Sequence, residues 1–272
     1  MIAFPNCKIN LGLNILEKKA DGFHDLETVF FPVNIHDVLE ILEFGGNTTQ
    51  VTTSGISLGE CENNICLEAY NLLKKDYPDL PGIKMHLHKA IPLGAGLGGG
   101  SADGVATLKL LNKTFNLNIP DEQLFAYALK LGSDCPFFIL NKPCFASGRG
   151  ETLEPISLPL YAHKIVIVNP GIHVNTTEAF KHIVPHVPEK RIKEIIAQPI
   201  DTWKNELVND FEDSVFKKYP DVHKIKKDLY DSGAIYSGMS GSGSTVYGIF
   251  KDGTLTNYIP HADYFYKIVE AA

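Results

Sequence analysis

Pro92-Leu93-Gly94-Ala95-Gly96-Leu97-Gly98-Gly99-Gly100-Ser101-Ala102-Asp103 is the stretch on which the reading of this chain turns. Five of the seven residues from Gly94 to Gly100 are glycine, and Val105, Leu108, Leu111 and Phe115 then recur at near-helical spacing. Bare backbone therefore feeds the start of a helix. Each glycine adds freedom to the unfolded chain worth roughly 0.4–1 kcal/mol relative to alanine. Five of them cost about 2–5 kcal/mol on that scale, against the ~5–15 kcal/mol that holds a domain together. A loop that only turns the chain needs less glycine. Close approach of backbone to a ligand accounts for it, and at a helix N-terminus that ligand is usually an anion. A phosphate loop and a purely structural turn are the two readings, and the glycine cost favours the first.

The loop alone does not say which phosphate. Gly94, Gly96 and Gly99 spell the G-x-G-x-x-G of dinucleotide sites, so an NAD-dependent oxidoreductase is a rival. That fingerprint wants an acidic residue about 20 positions on, at the end of a second strand. Asp121 stands near that distance but reads as the start of a helix. No G-K-[ST] follows the loop, which excludes a Walker A site, and the protein-kinase catalytic set is missing. No lysine lies between Lys89 and Lys109. Holding phosphate then falls to backbone N–H groups and the helix end, with Ser101 or a bound Mg²⁺ as helpers.

The 272 residues suffice for one large domain or two smaller ones. Hydrophobic residues at 44% and charged residues at 21% place the chain among soluble globular proteins. A net charge of −7 argues against a general binder of nucleic acid or membrane surfaces. The five cysteines are odd in number and form no CxxC, and no charged-then-apolar leader opens the chain. Together these point to a reduced, cytoplasmic protein without a disulfide framework. No apolar run approaches the ~18 residues of a membrane span.

Ile2–Leu16 alternates as one strand, with Ile9, Leu11, Leu13 and Ile15 on one face and Lys8, Asn10, Gly12 and Asn14 on the other. The polar face reads either as solvated or as a pair of site residues. Asp21-Gly22 is a turn, and Phe23 and His24 beside it are either a packed ring with an exposed imidazole or a binding pair. Thr28–Phe44 suggests two strands broken near Asn34–His36, and Gln50–Thr53 a further one. Asn63 or Asn64 caps a helix over Ile65–Lys75. Ile83–Ile91 alternates, with His86 and His88 on one face as a metal pair or, absent a third ligand, a polar strand face. Asp121 caps a helix over Glu122–Leu131 that Gly132 ends, and Asp134 is either an N-cap before Pro136 or a functional carboxylate. Pro155–Pro159 reads as a linker, which sets the expected domains at 1–158 and 159–272.

In the second half, His163–Asn169 is a strand, and Thr176 or Thr177 caps a helix through Phe180. Helices are expected over Arg191–Gln198, Leu207–Tyr219 and Val222–Ser232. Ser237–Thr245 is a second glycine-rich stretch, either a hairpin or another ligand loop, before the strand Val246–Phe250. Strands and helices mix in both halves, which indicates an α+β class.

Five motifs carry a resemblance to a known family. Pro92–Asp103 resembles the phosphate loop of the GHMP small-molecule kinases. Pro5-Asn6-Cys7-Lys8-Ile9-Asn10-Leu11, Asp21-Gly22-Phe23-His24-Asp25-Leu26-Glu27-Thr28, Gly132-Ser133-Asp134-Cys135-Pro136-Phe137-Phe138 and Ser240-Gly241-Ser242-Gly243-Ser244 resemble, in the family's order, motifs of its branch acting on 4-diphosphocytidyl-2-C-methyl-D-erythritol. They span residues 5 to 244, nearly the whole chain. Ala102 departs from the second serine of many members, which leaves Ser101 as the main hydroxyl of the loop.

The resemblance implies a two-domain GHMP kinase fold with the active site in the cleft between domains. It implies transfer of the γ-phosphoryl group of ATP to the 2-hydroxyl of the cytidyl substrate, in the non-mevalonate route to isoprenoids. Lys8 and Asp134 would face the acceptor hydroxyl. The triphosphate would lie against Pro92, Leu93, Gly94, Ala95, Gly96, Leu97, Gly98, Gly99, Gly100, Ser101 and Ala102. Phe23, His24 and Phe180 would meet the cytosine and Asn10 the polyol, while adenine would lie against Leu58–Leu67. ATP and Mg²⁺ are the expected cofactors, with no metal held by a dedicated residue set. The expected partner is the cytidyl diphosphate polyol, without nucleic acid or membrane, and a homodimer is compatible. Another GHMP kinase with a different acceptor, and a non-catalytic nucleotide-binding relative, are the alternatives.

Overall fold

The computed structural model describes residues 1–46, 48–57, 64–158, 160, 162–253 and 257–271. The expected strand over Ile2–Leu16 is two: β1 (Ile2–Ala3) and β2 (Asn6–Lys18). Pro5 stands at the break, where its missing N–H ends the ladder. β1 pairs with one sheet and β2 with another. β3 (His24–His36), β4 (Val38–Glu43) and β5 (Gln50–Gly55) follow, then α1 (Ile65–Asp76), β6 (Ile83–Lys89), α2 (Gly99–Thr114), α3 (Asp121–Leu131) and α4 (Phe137–Leu140). β7 (Cys144–Gly148), β8 (Thr152–Pro155), β9 (His163–Asn169), α5 (Thr176–Lys181), α6 (Ile192–Ile196), a 3-10 helix (Ile200–Asn205), α7 (Glu212–Lys218), α8 (Pro220–Asp231), β10 (Tyr236–Met239), β11 (Val246–Lys251) and β12 (Phe265–Glu270) complete the order.

Several local expectations are corrected. Asn64, one of the two residues expected there, does cap α1, its side chain accepting from the Cys66 N–H at 2.8 Å; Asn63 lies outside the described residues. Asp121 is the first residue of α3 and Pro120 its cap, with Pro120 O accepting the Leu124 N–H at 3.0 Å. Asp134 does not cap α4; Pro136 does. Asn175 caps α5 in place of Thr176 or Thr177. Leu207–Phe211 is not helical: the Leu13 N–H donates to Val208 O at 2.9 Å and Leu13 O accepts from Asp210 N at 2.9 Å, so strand-like bonding claims this segment before α7 begins.

The chain forms two compact units, and neither is one continuous run. The first comprises Met1–Cys7, Ile35–Leu93 and Gly98–Asn141; the second Lys8–Asn34, Gly94–Leu97 and Lys142–Ala272. This grouping does not coincide with a single boundary near Leu158, because β2 and β3 carry the chain from one unit into the other and back. In the first unit the sheet order is β1-β4-β6-β5, with β5 parallel to β6 and the other pairs antiparallel. α2 packs against α1, α3, α4 and β4. The second unit holds the sheets β2-β3-β7-β8 and β10-β11-β9-β12, and α8 packs on β10 and β11. Its core includes Leu13, Ile15, Val166, Val168, Phe211 and Leu229.

Candidate active site

β2 sets the first group of candidate side chains. Its alternation is as expected, but both faces are buried from Asn6 to Ile15, so the reading of Lys8 and Asn10 as a solvated face is overturned. Lys8 is 3% exposed and needs partners for its charge. Its Nζ donates to Asn10 Oδ1 at 2.6 Å and to Gly96 O at 3.1 Å. Asn10 is itself fixed: its Nδ2 donates to Thr28 Oγ1 at 3.0 Å, its backbone N–H to Ser240 Oγ at 3.1 Å, and its carbonyl accepts from the Tyr247 hydroxyl at 2.8 Å.

The same residues hold the first half of the glycine loop. Leu97 O accepts from the Lys8 N–H at 2.9 Å, Gly96 O from Ser240 Oγ at 2.7 Å, and Ala95 O from the Thr245 N–H at 3.3 Å. At Gly96, φ is +76° and a Cβ would sit 2.0 Å from Ser240 O, so only glycine fits. The second glycine-rich stretch is thus a hairpin between β10 and β11 whose backbone rests on the first loop. Asn209 braces it from below, its Nδ2 donating to Met239 O and Gly241 O at 2.8 Å each.

The second half of the loop differs. The helix begins at Gly99, inside the glycine run, with Gly98 in the left-handed region as its N-cap and no side-chain cap. α2 has no acidic residue in its first turn. Its first N–H groups lack intrahelical partners, which is the arrangement that receives an anion. A Cβ on Gly100 would meet nothing within 4 Å among the described residues. Ser101 sits in this turn. Burial pushes the neighbouring Cys135 thiol up to about 12, and a hydrogen bond with Ser101 offsets this in part. That thiol stays neutral.

Asp134 lies in the first unit, half-buried between Gly132, which ends α3, and Pro136. Phe23 sits on the β2–β3 turn and is 51% exposed. Its ring lies 3.6 Å from the Arg149 guanidinium carbon, and Arg149 Nη2 donates to Asp21 Oδ2 at 2.8 Å. Asp21 Oδ1 accepts the Phe23 N–H at 3.0 Å, and that bond, with Arg149 beside it, holds the Asp21 carboxyl below its usual value. His24 opens β3 and stacks on Phe180 from α5, ring centroids 4.6 Å apart and planes 20° apart. Burial, with Lys18 nearby, keeps His24 below the usual imidazole value. The ring is therefore neutral at neutral pH, with one donor and one acceptor nitrogen. His24 and Phe180 are brought together; Phe23 is turned to Arg149 instead.

Sequence reasoning missed Arg149, Asn209 and Tyr247, none of which stands in an alternating or capping pattern. It also missed a buried cluster in the first unit, Lys89 with Asp37 and Asp103. A signal for that cluster existed: period two places Lys89 on the same face as Ile83, Met85 and Leu87. His86 and His88, on the opposite face, take Thr52 and Ser54 hydroxyls from β5 at 2.8–2.9 Å, a polar strand face. Of the stretch expected against adenine, Leu58–Asn63 lies outside the described residues.

Residues 64–142 match the model of the GHMP kinase N-terminal domain, and residues 192–256 that of the GHMP kinase C-terminal domain. The chain is 51% identical to a Bacteroides fragilis protein named 4-diphosphocytidyl-2-C-methyl-D-erythritol kinase, over 92% of each chain. It is 48% identical to a protein of the same name from Cytophaga hutchinsonii, again over 92% of each. A crystal structure of 4-(cytidine 5'-diphospho)-2C-methyl-D-erythritol kinase superposes with a TM-score of 0.78 at 29% identity, covering 92% of this chain and 90% of that one. The mevalonate kinase of Methanococcus jannaschii shares the fold, with a TM-score of 0.67 at 15% identity over 93% and 92% of the two chains. The α+β architecture is that of the two-domain GHMP kinases, and the chain belongs to their 4-diphosphocytidyl-2-C-methyl-D-erythritol kinase family.

Proposed function

We infer that this chain is an ATP-dependent small-molecule kinase that phosphorylates the 2-hydroxyl of 4-diphosphocytidyl-2-C-methyl-D-erythritol, a step of isoprenoid biosynthesis. The observation that supports the site most directly is the shared set of bonds joining Lys8, Asn10, Gly96 and Ser240. It ties a buried lysine to the glycine loop.

Phosphoryl transfer asks the protein mainly for positioning and charge neutralisation. The open first turn of α2, Gly98–Ser101, receives phosphate oxygens on backbone N–H groups. The rest of the run from Pro92 to Ala102 shapes the approach. Asp134 accepts the proton of the substrate hydroxyl. Lys8 steadies charge on the moving group. Asn10 holds the polyol. The neutral His24 ring offers cytosine both a donor and an acceptor, Phe180 supports that ring, and Phe23 gives a stacking face beside Arg149. Mg²⁺, when bound, neutralises triphosphate charge. Ser101, in the first turn of α2, would be the side chain beside it. Among the described residues no helix is long and apolar enough to cross a membrane. Cytoplasmic placement is supported by the buried free thiols of Cys66, Cys135 and Cys144, and a homodimer stands as a proposal beside it.

ADP release measured with and without the cytidyl substrate tests the reaction: release that depends on that substrate supports it, and independence from it rejects it. Asp134→Asn tests the base. Loss of general-base help lowers kcat by about 10²–10⁴. A variant that turns over at the wild-type rate removes Asp134 from that role.

A further inference from the structure

Lys89 is the last residue of β6 and is 1% exposed, on the apolar face of its strand. An ammonium there must be compensated. Two carboxylates meet it. Asp37 comes from the junction of β3 and β4, and Asp103 from α2, with Nζ to Oδ2 at 2.7 Å. Asp37 Oδ1 also accepts the N–H groups of Ala90 at 2.6 Å and Ile91 at 2.9 Å, which fixes the chain as it leaves β6. The cluster lies against the start of α2: a Cβ on Gly99 would be 3.4 Å from Lys89 Nζ and 2.8 Å from Ile91 Cγ2. One ammonium thus ties the strand that enters the glycine loop to the helix that leaves it.

One carboxylate would balance one lysine. The second leaves a surplus negative charge, and Asp103 Oδ1 is buried without a hydrogen-bond partner among the described residues. Stability alone does not account for a charge left in this state. We propose that Asp103 is a positioning residue for the triphosphate: through Lys89 it clamps the first turn of α2 to the end of β6 and so aims the N–H groups of Gly98–Ser101. This rests on the reading of that turn as the phosphate site.

The clamp has a pH-sensitive part. Burial raises the Asp103 carboxyl to about 7; Lys89 pulls it down and Asp37 pushes it up. The groups facing it are Lys89 from β6, Asp37 from the β3–β4 junction and the Cys66 thiol from α1, while the Thr107 hydroxyl on α2 donates to the Asp103 backbone carbonyl at 2.9 Å. Burial pushes Cys66 up to about 12, and burial of Lys89 is outweighed by its two carboxylates, which raise it. Neither titrates near neutrality. The ion pair forms as pH rises through that range.

Titration of the full chain with ATP, alongside steady-state kinetics, tests this. Asp103→Leu leaves Lys89 balanced by Asp37 alone, so the fold is retained. Its KM and Kd for ATP rise about tenfold. Its kcat and its KM for the cytidyl substrate stay within about twofold. Asp103→Asn keeps a hydrogen bond to Lys89 without the charge. It matches the wild type at pH 6 and falls behind it in ATP affinity at pH 8. A Leu variant that binds ATP as tightly as the wild type overturns the proposal. So does one that loses both substrates together with a drop in Tm, since that is a structural role. An Asn variant that tracks the wild type at both pH values overturns the pH-sensitive part. If the wild-type chain itself does not bind ATP, it is the phosphate-site reading that fails.

Discussion

The two glycine-rich stretches, Gly94–Gly100 and Gly238–Gly243, look alike in sequence and are put to opposite uses. In and beside the second, the hydroxyls are committed to protein. Ser240 donates to Gly96 O, Ser242 pairs with Thr176, Ser244 donates to Ile172 O, and Thr245 accepts from Asn169. That stretch is a hairpin brace. The first stretch is committed only over its first half, where the carbonyls of Ala95, Gly96 and Leu97 are all bonded. From Gly98 on it opens a helix with no side-chain cap and free space at Gly100. Glycine serves the brace because two backbones touch there. At Gly100, in the helix end, it leaves a space that no described residue fills. Glycine content alone cannot separate these uses; the neighbours of each glycine can.

Gly96→Ala attacks the brace where it is tightest and has the largest expected effect. The new Cβ would stand 2.0 Å from Ser240 O, and φ at this position is +76°. Overpacking costs about 1–3 kcal/mol and the left-handed backbone about 1–2 kcal/mol more. The two loops must separate, and misplacement on the order of 1 Å lowers kcat/KM about 100-fold. Urea unfolding and ADP-release kinetics measure the two parts. Wild-type stability with wild-type activity would mean that the loops do not need this contact, and the comparison would collapse.

The same contrast explains what was legible in the sequence. Motifs and alternation located Lys8, Asn10 and the glycine loop, because local spacing carries them. What the sequence could not tell was that β2 is buried on both faces. Lys8, Asn10 and Asn14 look solvent-facing, yet their partners Gly96, Thr28 and Asp210 come from distant parts of the chain. Leu207–Phe211 reads as helix from its pattern, but Asn209 is spent on Met239 O and Gly241 O and its backbone neighbours bond Leu13. Tertiary bonding overrode the local preference. Lys89 was legible: a charge in register with Ile83, Met85 and Leu87 demands a buried counter-charge. Its position at the end of the strand made it look like surface.

Ser240→Ala sharpens the comparison with a smaller effect. The hydroxyl is fully buried, donating to Gly96 O at 2.7 Å and accepting the Asn10 N–H at 3.1 Å. Removing it strands a buried N–H, which costs about 1–3 kcal/mol. Gly96 O keeps Lys8 Nζ as a donor, so the loop holds its place. Urea unfolding should show the stability loss, while KM for ATP changes less than in Gly96→Ala. A larger effect on ATP than on stability would give this serine a place in ligand binding and blur the distinction between brace and open end.

Gly100→Ala tests the other side, and its effect on stability has the opposite sign. The residue is the second of α2, and its Cβ would enter open space among the described residues. Replacing glycine by alanine at a compatible position stabilises by about 0.4–1 kcal/mol, through the lost freedom of the unfolded chain. In a protein of this size that raises Tm by roughly 1–4 °C. On the proposed phosphate site the same methyl group crowds the ligand, so KM for ATP should rise while stability improves. The two measurements on one variant separate a turn shaped for a ligand from a turn shaped for folding. A higher Tm with unchanged ATP affinity would show that the space at Gly100 is not where phosphate rests. It would move the anion toward Gly98, whose left-handed conformation already aims the first N–H groups of the helix.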